Sequence, residues 1–261
     1  MKKTDLIWLD GGFVKWEEAQ INVINHGLHY GSAVFEGIRF YKTEKGPAIF
    51  RLQDHIARLI DSFSVFRMEC PYSKEEIEKA VVETVRKNRV AEGYIRPIIF
   101  FGENAMGLSS LKDAGIRVAI AVWPWGSYLG ENPVSVMTSS YIRLHPNSVV
   151  SEAKVTGYYI NSILATIEAK KAGYEEALLL DVSGHIAEGP GENFFLIEKG
   201  SIVTPPIGNI LPGITRDSVI TIAKDRGYTI KEASLTLSNV SDASEAFFTG
   251  TAAEITLIGK V

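Results

Sequence analysis

Lys154 stands in the stretch EAKVTGYY, residues 152–159, just ahead of a predicted helix. In that helix Ile160, Ile163, Leu164 and Ile167 fall at helical spacing, and Gly173 is its stop. A cation at the positive end of a helix dipole is disfavoured by roughly 0.3–1 kcal/mol when exposed, so its placement asks for a reason. A solvated loop lysine is the plain alternative. Elsewhere the chain offers features suited to an anion. LPGITRD puts Gly213, Ile214 and Thr215 at a helix start, where backbone N–H groups and the dipole favour negative charge, although an ordinary Ser/Thr cap reads the same way. FFTGTAAE is a turn of small residues after a strand, either a plain β-turn or a place where backbone approaches a ligand closely. HIAEGPGENFF frames glycines and a proline with Glu188 and Glu192. Arg96, inside the apolar strand YIRPIIFF, should be ion-paired or bound to an anion.

Several catalytic patterns are missing. There is no Walker loop, no Gly-x-Gly-x-x-Gly after a strand, no Gly-x-Ser-x-Gly elbow and no His-Glu-x-x-His pair among the five histidines. His26 and His29 sit in a glycine-broken segment without a third ligand, so no metal is expected. Cys70 is the only cysteine, which excludes an intramolecular disulfide and a cysteine-based metal cluster. With 46% hydrophobic and 22% charged residues over 261 positions and a net charge of −4, one large or two moderate globular domains are expected, and nucleic-acid or anionic-membrane partners are disfavoured. MKKTDLIWLDGG does not read as a secretory signal and no apolar run has spanning length, so a cytoplasmic protein is expected.

The elements that must position these residues alternate. LIWLDGGFVKW reads as a hairpin turning at Gly11-Gly12, and AVFEGIRFYK, PAIFRL, YIRPIIFFG and RVAIAVWPW as strands. DHIARLIDSFSVFRM is a helix burying Ile56, Leu59, Ile60, Phe63 and Phe66, with Arg58 off its apolar stripe and open to an anion. Ser73 and Glu76 form a capping box for a second helix burying Ile77, Ala80, Val81 and Val85. The Pro- and Gly-rich residues 124–133 read as a linker between an N-terminal α/β domain, 1–123, and a C-terminal domain, 134–261. In the latter VSVMTSSY is a strand, and two hairpins turn at Ser183-Gly184 and Lys199-Gly200. A helix from about Thr215 to Gly227 turns Ile214, Val219, Ile222 and Ala223 inward, and EAFFTGTAAEITLI is a strand broken at Gly250-Thr251.

Taken in order, NHGLHYGSAVFEGIRFY, DHIARL, GYIRPIIFFG, WPWGSYLG, EAKVTGYYINS, DVSGHIAEGPGENFF, ILPGITRDSV and FTGTAAEIT resemble the fold type IV pyridoxal-phosphate aminotransferases, and among them the branched-chain amino acid aminotransferases. The resemblance runs over nearly the whole chain. It implies an α/β (α+β) two-domain fold, a smaller N-terminal and a larger C-terminal domain with the cofactor, pyridoxal 5′-phosphate, at their interface. Lys154 would hold it as a Schiff base, helped because the helix end disfavours the ammonium form. Tyr159 would contact its phenolate oxygen. Glu188 would face the pyridine nitrogen and keep it protonated, so that the ring acts as an electron sink. Arg58, Thr251 and the N–H groups of Ile214 and Thr215 would take the phosphate. Tyr94 with Thr251 and Ala252 would receive the α-carboxylate, and Arg96 and Tyr128 a glutamate side chain. Phe35 and Trp125, with Tyr30 and Leu108 from a neighbouring subunit, would wall an apolar pocket, which implies at least a homodimer.

The implied reaction is ping-pong transfer of the amino group of leucine, isoleucine or valine to 2-oxoglutarate. The family usually continues beyond EITLIGKV into a further strand and a closing helix, and YLGENPVSVM and PPIGNILPG are short for it. D-Amino acid aminotransferases and aminodeoxychorismate lyases share the lysine and glutamate, and some relatives accept (R)-amines; EGIRFY with GYIRP matches the branched-chain type better. A non-catalytic pyridoxal-phosphate-binding protein would have no need of Tyr94 and Arg96.

Overall fold

The computed structural model describes residues 2–126, 129–130 and 132–261, and the chain forms two compact units, Met1–Gly126 with Ala153–Gly157, and Ser127–Glu152 with Tyr158–Val261. In the first, β1 (Leu6–Leu9) and β2 (Gly12–Lys15) form the opening hairpin, followed by the short helix α1 (His26–Tyr30), β3 (Ala33–Phe35), β4 (Ile38–Thr43) and β5 (Gly46–Ile49). Helices α2 (Leu52–Ser64) and α3 (Lys74–Asn88) come next, then β6 (Gly93–Phe101) and β7 (Ile116–Trp123). All pairings are antiparallel, in the order β2-β1-β7-β6-β4-β5, with β3 also on β6.

The helices bury the stripes expected of them: Ile56, Leu59 and Phe63 from α2, and Ile77, Ala80, Val81 and Val85 from α3. Ser73 and Glu76 make the reciprocal cap. Ile60 is half-buried, and α2 ends before Phe66. Alternation along β7 puts Val118, Ile120 and Val122 in the core.

Two details depart from the sequence reading. The first hairpin turns at Asp10-Gly11, with φ of 46° and 94°, while Gly12 pairs with Leu9 in the ladder. A two-residue turn of this hand needs both central residues at positive φ, which Asp and Gly tolerate. AVFEGIRFYK is two strands in one register: Phe35 opposes Ile98 and Ile38 opposes Ile95. The ladder breaks between them because Pro97 has no N–H to give; Glu36 N–H still donates to the Pro97 carbonyl at 3.0 Å.

The second unit runs β8 (Val134–Thr138), α4 (Tyr159–Lys171), β9 (Glu176–Leu180), β10 (Ile186–Glu188), β11 (Asn193–Glu198), β12 (Ser201–Thr204), α5 (Ile214–Asp225), β13 (Ile230–Glu232), α6 (Leu237–Asp242), β14 (Glu245–Gly250) and β15 (Glu254–Lys260). Its strands follow the order β10-β9-β8-β15-β14-β11-β12-β13, and β10 also pairs with β11. The sheet therefore closes into a ring, with Glu188 opposite Asn193 as the closing pair. Phe194, Leu196, Val203 and Phe248 pack with Val134, Val136, Leu178 and Ile186 in one core. The hairpins at Ser183-Gly184 and Lys199-Gly200 form where expected. FTGTAAE is the connection of an antiparallel pair, β14 and β15, rather than a break in one strand.

In α4 the apolar periodicity does not mark the buried face, and in α5 Ile222 departs from the inward set. α4 buries Asn161, Ala165 and Ala169, the two alanines packing with Ala177 and Leu179, while Ile160, Ile163 and Ile167 are each close to half exposed. Small side chains let a helix approach a sheet closely, and that contact decided the face. Ile222 of α5 is likewise exposed, and Ile214, Arg216 and Ala223 are buried. Among the described residues no helix is long and apolar enough to cross a membrane.

The segment Ala153–Gly157 is stitched to the first unit. Val155 bridges Val34, Thr156 Oγ1 donates to the Gly31 carbonyl at 2.9 Å, and Gly157 N–H donates to the same carbonyl at 3.2 Å. Gly31, at φ 63°, permits this: a Cβ there would lie 2.6 Å from Gly157 Cα. Gly31→Ala is expected to cost about 1–3 kcal/mol through strain and overpacking. A urea midpoint unchanged by the substitution would refute that close approach.

Candidate active site

Three backbone contacts fix Lys154 within the first unit. Its N–H donates to Ser62 Oγ at 2.9 Å, its carbonyl accepts from Phe35 N–H at 3.2 Å, and Val155 follows in the bridge to Val34. The ammonium lies 5.1 Å from the centre of the Phe35 ring. Arg96 reaches the same ring, its guanidinium carbon 4.7 Å from the centre, and also sits 5.5 Å from Tyr94 and 5.9 Å from Trp123. The expected ion pair of Arg96 is absent among the described residues; its buried Nε has no hydrogen-bond partner. An aromatic cage offsets part of the cost of holding a guanidinium out of water and leaves its hydrogen-bonding demand for an anion to meet.

Tyr94 is buried with its ring 4.5 Å from Trp125 and 5.4 Å from Trp123. A Cβ on Gly37 would overlap the Tyr94 hydroxyl, so the backbone break between β3 and β4 admits that hydroxyl. Arg39 anchors the chain beyond Trp125, donating to the carbonyls of Trp125 at 3.4 Å and Gly126 at 2.9 Å. Lys154, Phe35, Tyr94, Arg96 and Trp125 are thus linked by contact in one unit. Tyr128 lies outside the described residues.

Arg58 donates from Nε and Nη2 to the two oxygens of Glu36, at 2.6 and 2.9 Å. The Arg58 Nε and Nη2 are thus engaged by a carboxylate of the same unit. Glu36 is wholly buried, and His55 Nδ1 adds a bond of 2.7 Å to its Oε2. Burial pushes the Glu36 carboxyl up, but the Arg58 charge and the hydrogen bonds from His55 and Arg58 outweigh it and hold the group well below the usual carboxylate range. Burial dominates at His55 and lowers its pKa, so a neutral imidazole donates through Nδ1.

Tyr30 and Leu108 stand apart and are exposed, Leu108 by 82%. Buried His26 joins their segments. Its ring lies 4.6 Å from Tyr30, Nδ1 meets Ser32 Oγ at 2.6 Å, and Nε2 meets the Gly107 carbonyl at 3.2 Å.

In the second unit Glu188 is buried. Its oxygens accept from Arg143 Nε at 2.6 Å, Asn193 Nδ2 at 3.0 Å and Leu211 N–H at 3.2 Å. Asn193 Nδ2 also donates to the Leu211 carbonyl at 2.9 Å, so the ring-closing pair is tied to the turn before α5. That helix begins at Gly213, where a Cβ would overlap Asn193 Oδ1, and no side chain caps it. Ile214 and Thr215 therefore open an α-helix whose first turn relies on other acceptors. Thr251 and Ala252 lie in the β14–β15 connection. Gly250 lets it approach the Gly191 turn beside Glu188: a Cβ there would lie 3.1 Å from the Gly191 carbonyl. Tyr159 opens α4.

Sequence reasoning missed Glu36, His55, Ser62, Arg143 and Asn193. Only Glu36 carried a signal, an acid inside an apolar strand that must find a partner when buried. The depressed pKa values of Glu36 and His55 set a sign: their stabilisation is present above the unfolded values and lost on acidification, below about pH 6.5 for the histidine and about pH 4.3 for the glutamate. Glu36→Gln is expected to cost about 2–4 kcal/mol at neutral pH by removing the carboxylate that the partly buried Arg58 guanidinium and His55 share. In urea melts the gap between wild type and variant should narrow as pH falls below about 4.3, and a gap independent of pH would contradict the assignment.

The model of the amino-transferase class IV family matches residues 33–261. The branched-chain-amino-acid aminotransferase of Pseudomonas aeruginosa is 47% identical over 262 residues, covering 98% of this chain and 84% of that protein. The crystal structure of the Escherichia coli branched-chain amino acid aminotransferase superposes with a TM-score of 0.97 at 43% identity, over 99% of this chain and 87% of that one. The T.th. branched-chain amino acid aminotransferase complexed with N-(5′-phosphopyridoxyl)-L-glutamate gives 0.94 at 46%, over 100% and 86%. With its fold, its lysine and its buried carboxylate in these arrangements, the chain belongs to the class IV aminotransferases.

Proposed function

We propose that this chain is a pyridoxal-phosphate-dependent branched-chain-amino-acid aminotransferase, passing the amino group of leucine, isoleucine or valine to 2-oxoglutarate in a ping-pong cycle. The observation that carries the reading is the Phe35 ring, met by the Lys154 ammonium and by the Arg96 guanidinium. A substrate with its Cα toward Lys154 can lay an apolar side chain on that ring or extend a carboxylate to Arg96. Glutamate and leucine then share one pocket, because the charged chain brings the acceptor that the buried Arg96 Nε lacks.

The donor set fits the cofactor. A guanidinium on α2, a helix start on α5 without a side-chain cap and a close-packed turn of small residues suit a phosphate, and a buried carboxylate suits a ring nitrogen that must stay protonated. Arg58, Ile214, Thr215 and Thr251 would hold the phosphate, Tyr159 and Glu188 the ring, and Lys154 the reactive carbon. Bound pyridoxal 5′-phosphate supplies the electron sink that makes the substrate Cα acidic. Lys154 Nζ would take the proton from the substrate Cα and hand it to the cofactor carbon that carries the transferred nitrogen, the reverse on the second half of the cycle, so the backbone contacts that fix this residue also fix the proton's path. Arg143 and the Leu211 N–H hold the Glu188 carboxylate in place. Tyr94, Thr251 and Ala252 receive the α-carboxylate; Tyr128 joins Arg96, and Trp125 joins Phe35. The same reading makes the protein a cytoplasmic homodimer, in which Tyr30 and Leu108 complete the partner's pocket, a use that fits their exposure.

Two measurements test it. The visible absorbance of the cofactor-loaded protein should change on adding L-leucine or L-glutamate, and neither should act on Lys154→Ala; a response to D-alanine alone would overturn the branched-chain assignment. Arg96→Met should lower kcat/KM for glutamate on the order of a hundredfold while sparing leucine. Equal losses for both substrates would remove Arg96 from side-chain recognition.

A further inference from the structure

Three residues on one face of α2 converge on the machinery assigned above. His55 and Arg58 grip Glu36, and Ser62, one turn further, accepts the Lys154 N–H. The Glu36 carboxylate has no exposure. Its Oε1 takes Arg58 Nε at 2.6 Å, while its Oε2 takes Arg58 Nη2 at 2.9 Å, His55 Nδ1 at 2.7 Å and Gly37 N–H at 3.3 Å. Folding does not require such a cluster. Replacing a buried ion pair with apolar side chains of similar volume is often neutral or stabilising. What two parallel N–H···O bonds do provide is geometry: they fix the plane and roll of the guanidinium, which otherwise swings on a long flexible side chain. The position of Glu36 is itself rigid, set between β3 and β4 where Pro97 breaks the ladder, with Gly37 held open for the Tyr94 hydroxyl.

We propose that Glu36, seated by His55, is a positioning residue that sets the orientation of Arg58 and thereby makes the site selective for a phosphorylated over a non-phosphorylated pyridoxal. This deepens the function proposed above and rests on it. The carboxylate does not touch the ligand. Its effect is confined to the phosphate end, because the contacts of Lys154 with Phe35 and Ser62 do not pass through it.

The test is the ratio of dissociation constants for pyridoxal and pyridoxal 5′-phosphate, measured by equilibrium binding to the whole chain. Wild type should prefer the phosphate ester strongly. In Glu36→Gln the affinity for pyridoxal 5′-phosphate should fall by about tenfold or more while that for pyridoxal stays within about twofold, as expected when a binding group is displaced rather than removed. A merely structural role would weaken both ligands together or neither, and either result overturns the proposal. If Glu36→Gln does not fold, Glu36→Asp keeps the charge and draws it back by one methylene. Its ratio should fall severalfold, and a wild-type ratio would refute the inference. Wild type that binds neither ligand would instead refute the function on which the inference rests.

Discussion

The first unit is organised around a carboxylate that water never reaches. Burying Glu36 is costly, and the cost is offset only because Arg58 and His55 come from α2 with both oxygens satisfied. Ser62, on the same face of α2, accepts the Lys154 N–H, and Phe35, the residue before Glu36, supplies the ring that its ammonium meets; neither contact runs through the Glu36 carboxylate.

The second unit uses a different constraint for its own carboxylate. Glu188 and Asn193 are partners across the pair that closes the strand ring, and Asn193 reaches on to the turn that launches α5. Sheet closure, the orientation of an acid and the turn before α5 share one asparagine. In both units the ionised groups are specified by hydrogen bonds from backbone and neighbours as much as by opposite charge, which suits chemistry that needs fixed dipoles rather than mobile ones.

Most elements were legible because their signals are local: the capping box at Ser73, the hairpins at Gly184 and Gly200, the alternation along β7. Lys154, Glu188 and the helix start at Ile214 were legible through motif and order. What could not be read was decided between elements. The face of α4 follows from how closely Ala165 and Ala169 let it approach the sheet, so its isoleucines, the strongest periodic signal in that stretch, point away. Arg96 could be read as ion-paired or as anion-binding, and only three distant aromatic residues reveal the cage around it. His55, Ser62 and Arg143 are ordinary letters until the fold brings their partners within reach.

The stitching of Ala153–Gly157 has a consequence for biosynthesis. Residues 1–126 contain the strands and α-helices of the first unit, yet its last strand-like bridge comes from a segment translated only after β8. A nascent chain halted before Val155 lacks the contacts that cover Gly31, Ala33 and Val34. Domains generally fold in order as they leave the ribosome, but here the earlier unit must wait for an instalment of the later sequence. Lys154 is delivered in that instalment, so a chain interrupted before it lacks the ammonium that meets the Phe35 ring.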